Sequence, residues 1–260
     1  MDKRFTLPIV RITKETEDIN TYTFKYKLDA DPGQFIMLTD FEGGEKPFSI
    51  SDCTAEEFSI TVKRVGAFTN RLFKKRVGDL LSIRGAYGSS FFISKKRVLL
   101  VGGGYAVPTF YFLIKRLQAA GAEITLINGA RTQSDHVFAQ RFAEQGVKIY
   151  NCTDDGSFGL EGTSVDIAEA ALLRDDYDQV YASGPEMMMK ALMPSISEYD
   201  YEFLFERYMK CAIGICGNCT MDPLGIRLCV EGPVLPREKV VQLTEFGKYH
   251  RKPSGSRVEF

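Results

Sequence analysis

Up to about residue 95 the chain alternates apolar and polar positions over short stretches. "FTLPIVRIT" (5–13), "TYTFKYKL" (21–28), "GQFIMLTD" (33–40), "FSITVKRV" (58–65) and "DLLSIRG" (79–85) are rich in Val, Ile, Thr, Tyr and Phe. Turn-forming clusters such as "DADPG", "FEGGEKP" and "KRVGD" lie between them. Short, evenly spaced runs of this kind predict strands of a small antiparallel β-barrel. The pattern changes after Lys96. "RVLLVGG" (97–103) is a continuous apolar strand, "TFYFLIKRLQAAG" (109–121) has helical spacing, and "EITLINGAR" (123–131) is a second strand. "SDHVFAQRFAEQG" (134–146) predicts a helix opened by Ser134 or Asp135, both good N-caps. The alternation continues through "VKIYNCTDDG", "SVDIAEAALLRDDY", "DQVYASGP" and "EMMMKALMPSISEY". Strands alternating with helices predict a parallel sheet covered on its faces. The expected division is therefore a barrel over 1–95, an α/β parallel-sheet domain over 96–200, and a small cysteine-bearing segment over 201–245. The polar stretch 246–260 reads as a tail, ordered only when something binds it.

Composition narrows the classes. In 260 residues, 44% are hydrophobic, 26% are charged and the formal net charge is −1, values of an ordinary globular protein. The global positive charge needed to neutralise nucleic-acid phosphates is missing. Residues 98–114, "VLLVGGGYAVPTFYFLI", carry no charge over 17 positions, but three glycines and Pro108 interrupt them. A buried strand, a tight turn and a buried helix explain the stretch better than a membrane span. The polar, strand-like N-terminus lacks the apolar core of a signal peptide, so a reducing cytoplasm is expected.

Four of the six cysteines crowd into "CAIGICGNC" (211–219) and Cys229. The spacing C-x4-C-x2-C-x9-C of Cys211, Cys216, Cys219 and Cys229 matches the first ligands of plant-type 2Fe–2S proteins, with the fourth arriving from a later turn. Zinc sites more often use paired knuckles. An iron–sulfur cage is favoured, with zinc and a disulfide as the alternatives. Cys53 and Cys152 stand alone and read as small buried hydrophobes.

Other motifs point to nucleotides. In "VGGGYAVP" (101–108), Gly102, Gly103 and Gly104 follow a buried strand and open a helix, where backbone N–H groups can meet a phosphate. Gly129 and Arg131 end the second strand, and Gly184 and Pro185 end a later one; doubly wound sheets bind ligands at such strand ends. On the barrel, "KPFSIS" (46–51) offers a cation, an aromatic and a hydroxyl, able to hold a phosphate, a flat ring system and a ribityl chain. "TVKRVGAFTNRL" (61–72) adds Lys63, Arg64, Gly66 and Thr69, donors suited to a pyrophosphate. Ordinary solvated barrel strands remain the plainer explanation of both stretches taken alone. His136 and His250 read as solvent-facing or structural, and no catalytic acid–base or nucleophile set stands out.

Taken in order, "KPFS", "VKR…G…TN", "YG" (87–88), the Gly-rich turn, "GAR", "DDGS" and "GPEMM" resemble the ferredoxin–NADP reductase superfamily. With "ERYMKCAIGICGNCTMDPLGIRLCVEGPVL" (206–235) added, the chain is similar over residues 5–250 to one branch, the electron-transfer subunits of class 1B dihydroorotate dehydrogenases. The resemblance implies FAD on the barrel, held by Lys46, Pro47, Phe48, Ser49, Val62, Lys63, Arg64, Gly66, Phe68 and Thr69. It implies NAD at Gly102, Gly103, Gly104, Gly129, Arg131, Gly184 and Pro185, and a 2Fe–2S cluster on the four clustered cysteines. Met209 would shield a cluster sulfur. Its partner would be a flavin-containing dihydroorotate dehydrogenase catalytic subunit carrying the substrate site, with neither nucleic acid nor membrane engaged. Three positions depart from the family pattern: Lys46 replaces the usual Arg, the Gly-rich turn is one residue short and lacks its fourth glycine, and "ASGP" stands where many relatives have Cys before "GP". Flavin/iron–sulfur subunits of other complexes (NAD(P)H–ferredoxin oxidoreductases, sulfide dehydrogenases, hydrogenases) and a non-catalytic zinc interaction module are the competing readings.

Overall fold

A computed structural model describes residues 4–94 and 96–260. Residues 1–3 and Lys95, the two ends of the expected barrel unit, lie outside the described residues. The alternating runs become six strands: β1 (Arg4–Lys14), β2 (Ile19–Lys25), β3 (Phe35–Thr39), β4 (Glu45–Cys53), β5 (Glu57–Lys63) and β6 (Leu80–Tyr87). They close as an antiparallel barrel in the order β1-β2-β5-β4-β3-β6, with Phe5 of β1 opposite Ile83 of β6 at the closure. Alternate residues point inward, so Ile36 and Leu38, Phe58, Ile60 and Val62, and Leu81 and Ile83 meet in one core. A short helix, α1 (Ala67–Leu72), tucks Phe68 and Leu72 against the barrel after β5.

The apolar stretch 98–114 divides as the glycines and Pro108 require. It gives β7 (Arg97–Gly103), a 3-10 turn over Gly104–Ala106, and α2 (Thr109–Ala120). Gly121 ends that helix in the left-handed conformation at φ +86°. No helix among the described residues is long and apolar enough to cross a membrane. Next come β8 (Glu123–Ala130), α3 (Ala139–Ala143), β9 (Lys148–Thr153), β10 (Leu160–Glu161), α4 (Ser164–Arg174), β11 (Gln179–Ser183), α5 (Glu186–Leu192) and β12 (Asp200–Leu204). Thr163 and Asp166 form a reciprocal capping box at the start of α4, worth about 1 kcal/mol.

The cysteine segment contributes β13 (Thr220–Met221), β14 (Ile226–Arg227), β15 (Val234–Pro236) and α6 (Arg237–Val240), followed by β16 (Tyr249–Arg251) and β17 (Arg257–Glu259). The central sheet has the order β10-β9-β8-β7-β11-β12-β15, parallel except for β15, which runs antiparallel beside β12. The sheet thus continues past residue 200 and draws a strand from beyond the cysteines. Register aligns Gly103 with Gly129, and Gly102 with both Asn128 and Ser183, along one C-terminal edge.

Three expectations are corrected. The helix expected from Ser134 or Asp135 starts only at Ala139, with Phe138 at φ +62° as its N-cap. Residues 133–135 form a 3-10 turn, and Asn128 Nδ2 donates to the Val137 carbonyl (3.1 Å), holding that stretch against the sheet instead of in a helix. Residues 246–260 form the hairpin β16–β17 in the chain alone, anchored by buried Phe246 and by Tyr249, Arg251 and Arg257 on Asp222. Cys152 is buried as expected, but Cys53 is only half-buried.

Candidate functional site

Barrel, nucleotide domain and cysteine segment meet around one cavity of about 270 Å³. β4 supplies Pro47, Phe48 and Ser49; β5 supplies Val62 and Lys63; Thr69 follows on α1. The opposite wall is Tyr105 and Thr109 beside the Gly-rich turn, and the third is Phe205, Glu206, Arg207 and Met209. Each barrel residue is there for a local reason. Phe48 leans on Phe68 with ring centres 5.9 Å apart, so Phe68 supports the wall from behind. Thr69 Oγ1 accepts the N–H groups of Val65 (2.9 Å) and Gly66 (3.0 Å) and sets the turn after β5. The hydroxyls of Ser51 and Thr61 are linked at 3.0 Å on the same surface. An apolar wall with hydroxyls and a lysine at its rim suits a flat aromatic group carrying a hydroxylated, phosphorylated chain.

Not every expected barrel residue lines the cavity. Lys46 lies beside it, its ammonium 5.0 Å from the centre of the Tyr208 ring. Arg64 stacks on Phe73 at 5.4 Å, and Gly66 caps α1. Lys63 bridges the two units: it pairs with Asp18 at 3.5 Å and lies 5.8 Å from the Tyr105 ring.

Two further cavities open along the C-terminal edge of the sheet. The first, about 270 Å³, lies between Gly103, Gly184 and Pro185 on one side and Glu206, Arg207, His250 and Phe260 on the other. The second, about 380 Å³, is lined by Gly103, Gly129, Arg131, Asp154, Ser164 and Pro185. At Gly129 a Cβ would stand 2.1 Å from Ser164 Oγ, a hydroxyl that donates to the Gly102 carbonyl at 3.0 Å, so only glycine leaves this strand end open. Ser183, directly before Gly184 and Pro185, is fully buried, and its hydroxyl lies 3.4 Å from the Ala106 carbonyl of the Gly-rich turn. It braces the turn.

Tyr105 and Glu206 form a pair that motif reading missed. Glu206 opens into both 270 Å³ cavities and is exposed there; reduced hydration between the cavity walls pushes its carboxyl above the ordinary value, while the Tyr105 hydroxyl bonded to it holds the rise back. Tyr105 is pushed up in turn by the charge of Glu206 and then by burial. His250 and Phe260 of the C-terminal hairpin were likewise missed. Their place depends on a packing that no spacing in the chain reveals.

The thiols gather as two pairs. Cys216 N–H lies 3.5 Å from Cys211 Sγ, and Cys219 bonds to Cys229. Among the described residues, which include all six cysteines, none is in a disulfide, and no three metal-binding side chains are already drawn to a single point. Partial burial opposes ionisation of Cys211, but the N–H groups of Cys216, Ile213 and Ile215 outweigh it and lower its pKa to about 6. The Cys229 thiol, and more weakly its N–H, lower Cys219 to about 7 against the opposing effect of burial, and Cys229 is raised correspondingly. Gly214 turns the loop at φ +77°, where a Cβ would stand 2.9 Å from Val230. Thiols paired in this way would give each iron of a two-iron centre two ligands. Ile213 and Ile215 of the loop are 47% and 79% exposed, an apolar face beside the thiols. Met209, expected to shield a sulfur, is buried and lines the first cavity.

Residues 206–241 match the family model described as the iron-sulfur cluster binding domain of dihydroorotate dehydrogenase B. The chain is 40% identical over 258 residues to the probable dihydroorotate dehydrogenase B (NAD(+)) electron transfer subunit of Methanothermobacter thermautotrophicus, covering 97% of this chain and 96% of that one. It is 41% identical over 250 residues to the protein of the same description from Pyrococcus horikoshii, covering 94% and 96%. Among solved structures, a chain of the NADH-dependent reduced ferredoxin–NADP oxidoreductase superposes with a TM-score of 0.81 at 27% identity, over 92% of this chain and 93% of that one. The FAD/NAD-binding domain of a Vibrio cholerae nitric oxide dioxygenase shares the fold at a TM-score of 0.67 and 20% identity, over 78% and 99%. On identity over nearly its whole length, the chain belongs to the family of dihydroorotate dehydrogenase B electron transfer subunits.

Proposed function

We propose that the chain passes electrons from a partner dehydrogenase to NAD through FAD and a 2Fe–2S cluster, in the oxidation of dihydroorotate to orotate during pyrimidine synthesis. The observation that carries this reading is the single cavity where Phe48, Ser49 and Lys63 of the barrel, Tyr105 of the Gly-rich turn and Met209 of the cysteine segment all meet. In this reading residues 1–95 hold FAD, 96–200 hold NAD and 201–245 hold the cluster, with the thiolates of Cys211, Cys216, Cys219 and Cys229 as ligands. Flavin supplies the chemistry that joins the other two, since it exchanges a hydride with nicotinamide and single electrons with an iron centre.

The chain's own residues bind and orient. Pro47, Phe48 and Val62 present apolar surface to a ring system, Ser49 and Lys63 give polar contacts at its rim, and Lys46 and Arg64 stand nearby as phosphate partners. Gly102, Gly103, Gly104, Gly129, Gly184 and Pro185 would keep the sheet edge open for a nicotinamide dinucleotide, and Arg131 at the end of β8 would contact its ribose or 2′-phosphate. Glu206 and Tyr105 stand where the nicotinamide and barrel cavities join. The apolar Ile213–Ile215 face would meet the catalytic subunit, which holds the dihydroorotate site, and the pair would work in the cytoplasm.

The test is reconstitution with the catalytic subunit of the same organism: reduction of NAD by dihydroorotate should require both chains. A catalytic subunit that reduces NAD equally well alone would overturn the reading. Similarity to the NADH-dependent ferredoxin–NADP oxidoreductase chain favours a second reading, a subunit of a ferredoxin-linked complex. Stable complex formation with a ferredoxin-reducing partner in place of the dehydrogenase would select it.

A further inference from the structure

The three cavities share residues in a fixed order. Gly103 and Pro185 line both the cavity at Arg131 and the one at His250 and Phe260. Tyr105, Glu206 and Arg207 in turn line both that second cavity and the barrel cavity at Phe48. A ligand lying along the sheet edge from Arg131 would pass Gly103 and Pro185 and end beside the barrel cavity. At that end its outer wall is the hairpin β16–β17, not the sheet.

The hairpin is held in place from two sides. Asp222 of the cysteine segment accepts from the Tyr249 hydroxyl at 3.1 Å, from Arg251 at 2.6 Å and from Arg257 at 3.2 Å. Asn218, between two of the cysteines, donates to the Pro253 carbonyl at 3.2 Å. From the other side, buried Arg207 donates to the Tyr249 carbonyl at 3.0 Å, and Glu186 at the start of α5 accepts the Gly247 N–H at 3.3 Å. Within this frame Phe260 N–H donates to the Lys248 carbonyl at 3.2 Å. The Phe260 ring lies 5.1 Å from the His250 ring, and the Arg207 guanidinium lies 5.6 Å from its centre. Phe260 is nevertheless 55% exposed. An aromatic ring braced by its neighbours, with open area on a cavity wall, is a platform for another flat ring.

We propose that Phe260, backed by His250, binds the nicotinamide ring of the dinucleotide in the cavity between the hairpin and the Gly184–Pro185 turn. The inference rests on the NAD reading above and deepens it, because it takes the ring-binding wall from a segment outside the sheet and its motifs. The order of the cavities assigns the ends of the ligand. The adenosine half belongs at Arg131, the pyrophosphate over the glycines, and the nicotinamide at Phe260, the end that adjoins the barrel. Two anchors on the cysteine segment, Asp222 and Asn218, thereby set one wall of the nicotinamide site.

The test is isothermal titration calorimetry of the purified full chain, in its oxidised form, with NAD(+) and with ADP-ribose, which lacks the nicotinamide. Oxidised flavin does not react with NAD(+), so the titration reads binding without turnover. The wild type should bind NAD(+) more tightly than ADP-ribose. Phe260→Ala should weaken NAD(+) about tenfold and leave ADP-ribose within about twofold of the wild type. Phe260→Tyr, which keeps the ring, should stay close to the wild type for both ligands. An unchanged affinity for NAD(+) in Phe260→Ala, or an equal loss for the two ligands, would overturn the proposal and leave the hairpin a structural edge. Equal wild-type affinities would overturn it as well. Should Phe260→Ala fail to fold, Phe260→Leu, which keeps an apolar side chain without the ring, decides by the same comparison. A wild-type chain that binds neither ligand would instead defeat the NAD reading itself.

Discussion

Arg207 and Glu186 form a forked ion pair, with Arg207 Nη2 donating to Glu186 Oε2 at 2.8 Å and Nε to Oε1. The pair ties the entry of the cysteine segment to the start of α5, beside the Gly184–Pro185 turn. Both side chains are almost fully buried, and Arg207 Nη1 also lies 3.3 Å from the wholly buried Glu245. Arg207→Ala would leave two buried carboxylates without their shared cation. It should lower unfolding stability by about 3–5 kcal/mol, read from urea denaturation. Loss of less than about 1 kcal/mol would mean that water already solvates this pair.

Gly129 tests the open strand end. A methyl group there meets Ser164 Oγ and Cys152 Sγ, at 2.1 and 3.2 Å, so Ser164 must give up its bond to the Gly102 carbonyl. Gly129→Ala should cost about 1–3 kcal/mol of stability. It should also weaken NADH binding roughly tenfold or more in a fluorescence titration, with flavin content unchanged.

Lys46 lies beside the barrel cavity, and no carboxylate pairs with it among the described residues; its ammonium faces the Tyr208 ring. If it is the cation for a flavin phosphate, Lys46→Ala loses a charge-assisted bond of about 1.5–3 kcal/mol. FAD should then dissociate roughly ten- to a hundredfold more readily during dialysis. Arg in its place should retain flavin at least as well, through a bidentate grip.

Stability should also depend on the pH around Glu202. Burial raises its carboxyl to about 7, offset in part by the Phe92 N–H that it accepts at 2.8 Å. The folded protein therefore holds this proton more tightly than the unfolded chain, whose ordinary value is 4.5. Below 4.5 both states are protonated and no penalty exists. As pH rises from 4.5 to 7 the unfolded state loses the proton first, so stability falls by at most about 3 kcal/mol and then levels off. Glu202→Gln should flatten the urea midpoint across this window.

Much of this architecture was legible in the chain, and the reasons are local. Period-two alternation marked the barrel strands because each has one face in a closed core, and continuous apolar runs marked β7 and β8 because both of their faces are covered. The cysteine spacing was informative because metal ligation needs specific residues at specific distances along the chain. What escaped was non-local. Ser134 and Asp135 look like caps, but Asn128 holds the next turn to the sheet. The 246–260 stretch looks like a polar tail because its ordering rests on one buried ring, Phe246, and on a distant carboxylate, Asp222. Tyr105 and Glu206 are 101 positions apart, and only the docking of the Gly-rich turn against the cysteine segment brings them together.

Substitution at Cys216 distinguishes the iron site from the flavin site. Cys216→Ser should remove the cluster while FAD stays, since Cys216 is exposed in the loop and has no role in the barrel wall.

The most direct measurement is the visible absorption spectrum of the purified wild-type chain, with metal analysis, before and after NADH. The protein should be coloured, with bound flavin and about two irons, and its flavin and iron–sulfur absorption should both bleach on reduction. A colourless chain holding about one zinc and no flavin, unaltered by NADH, would contradict it.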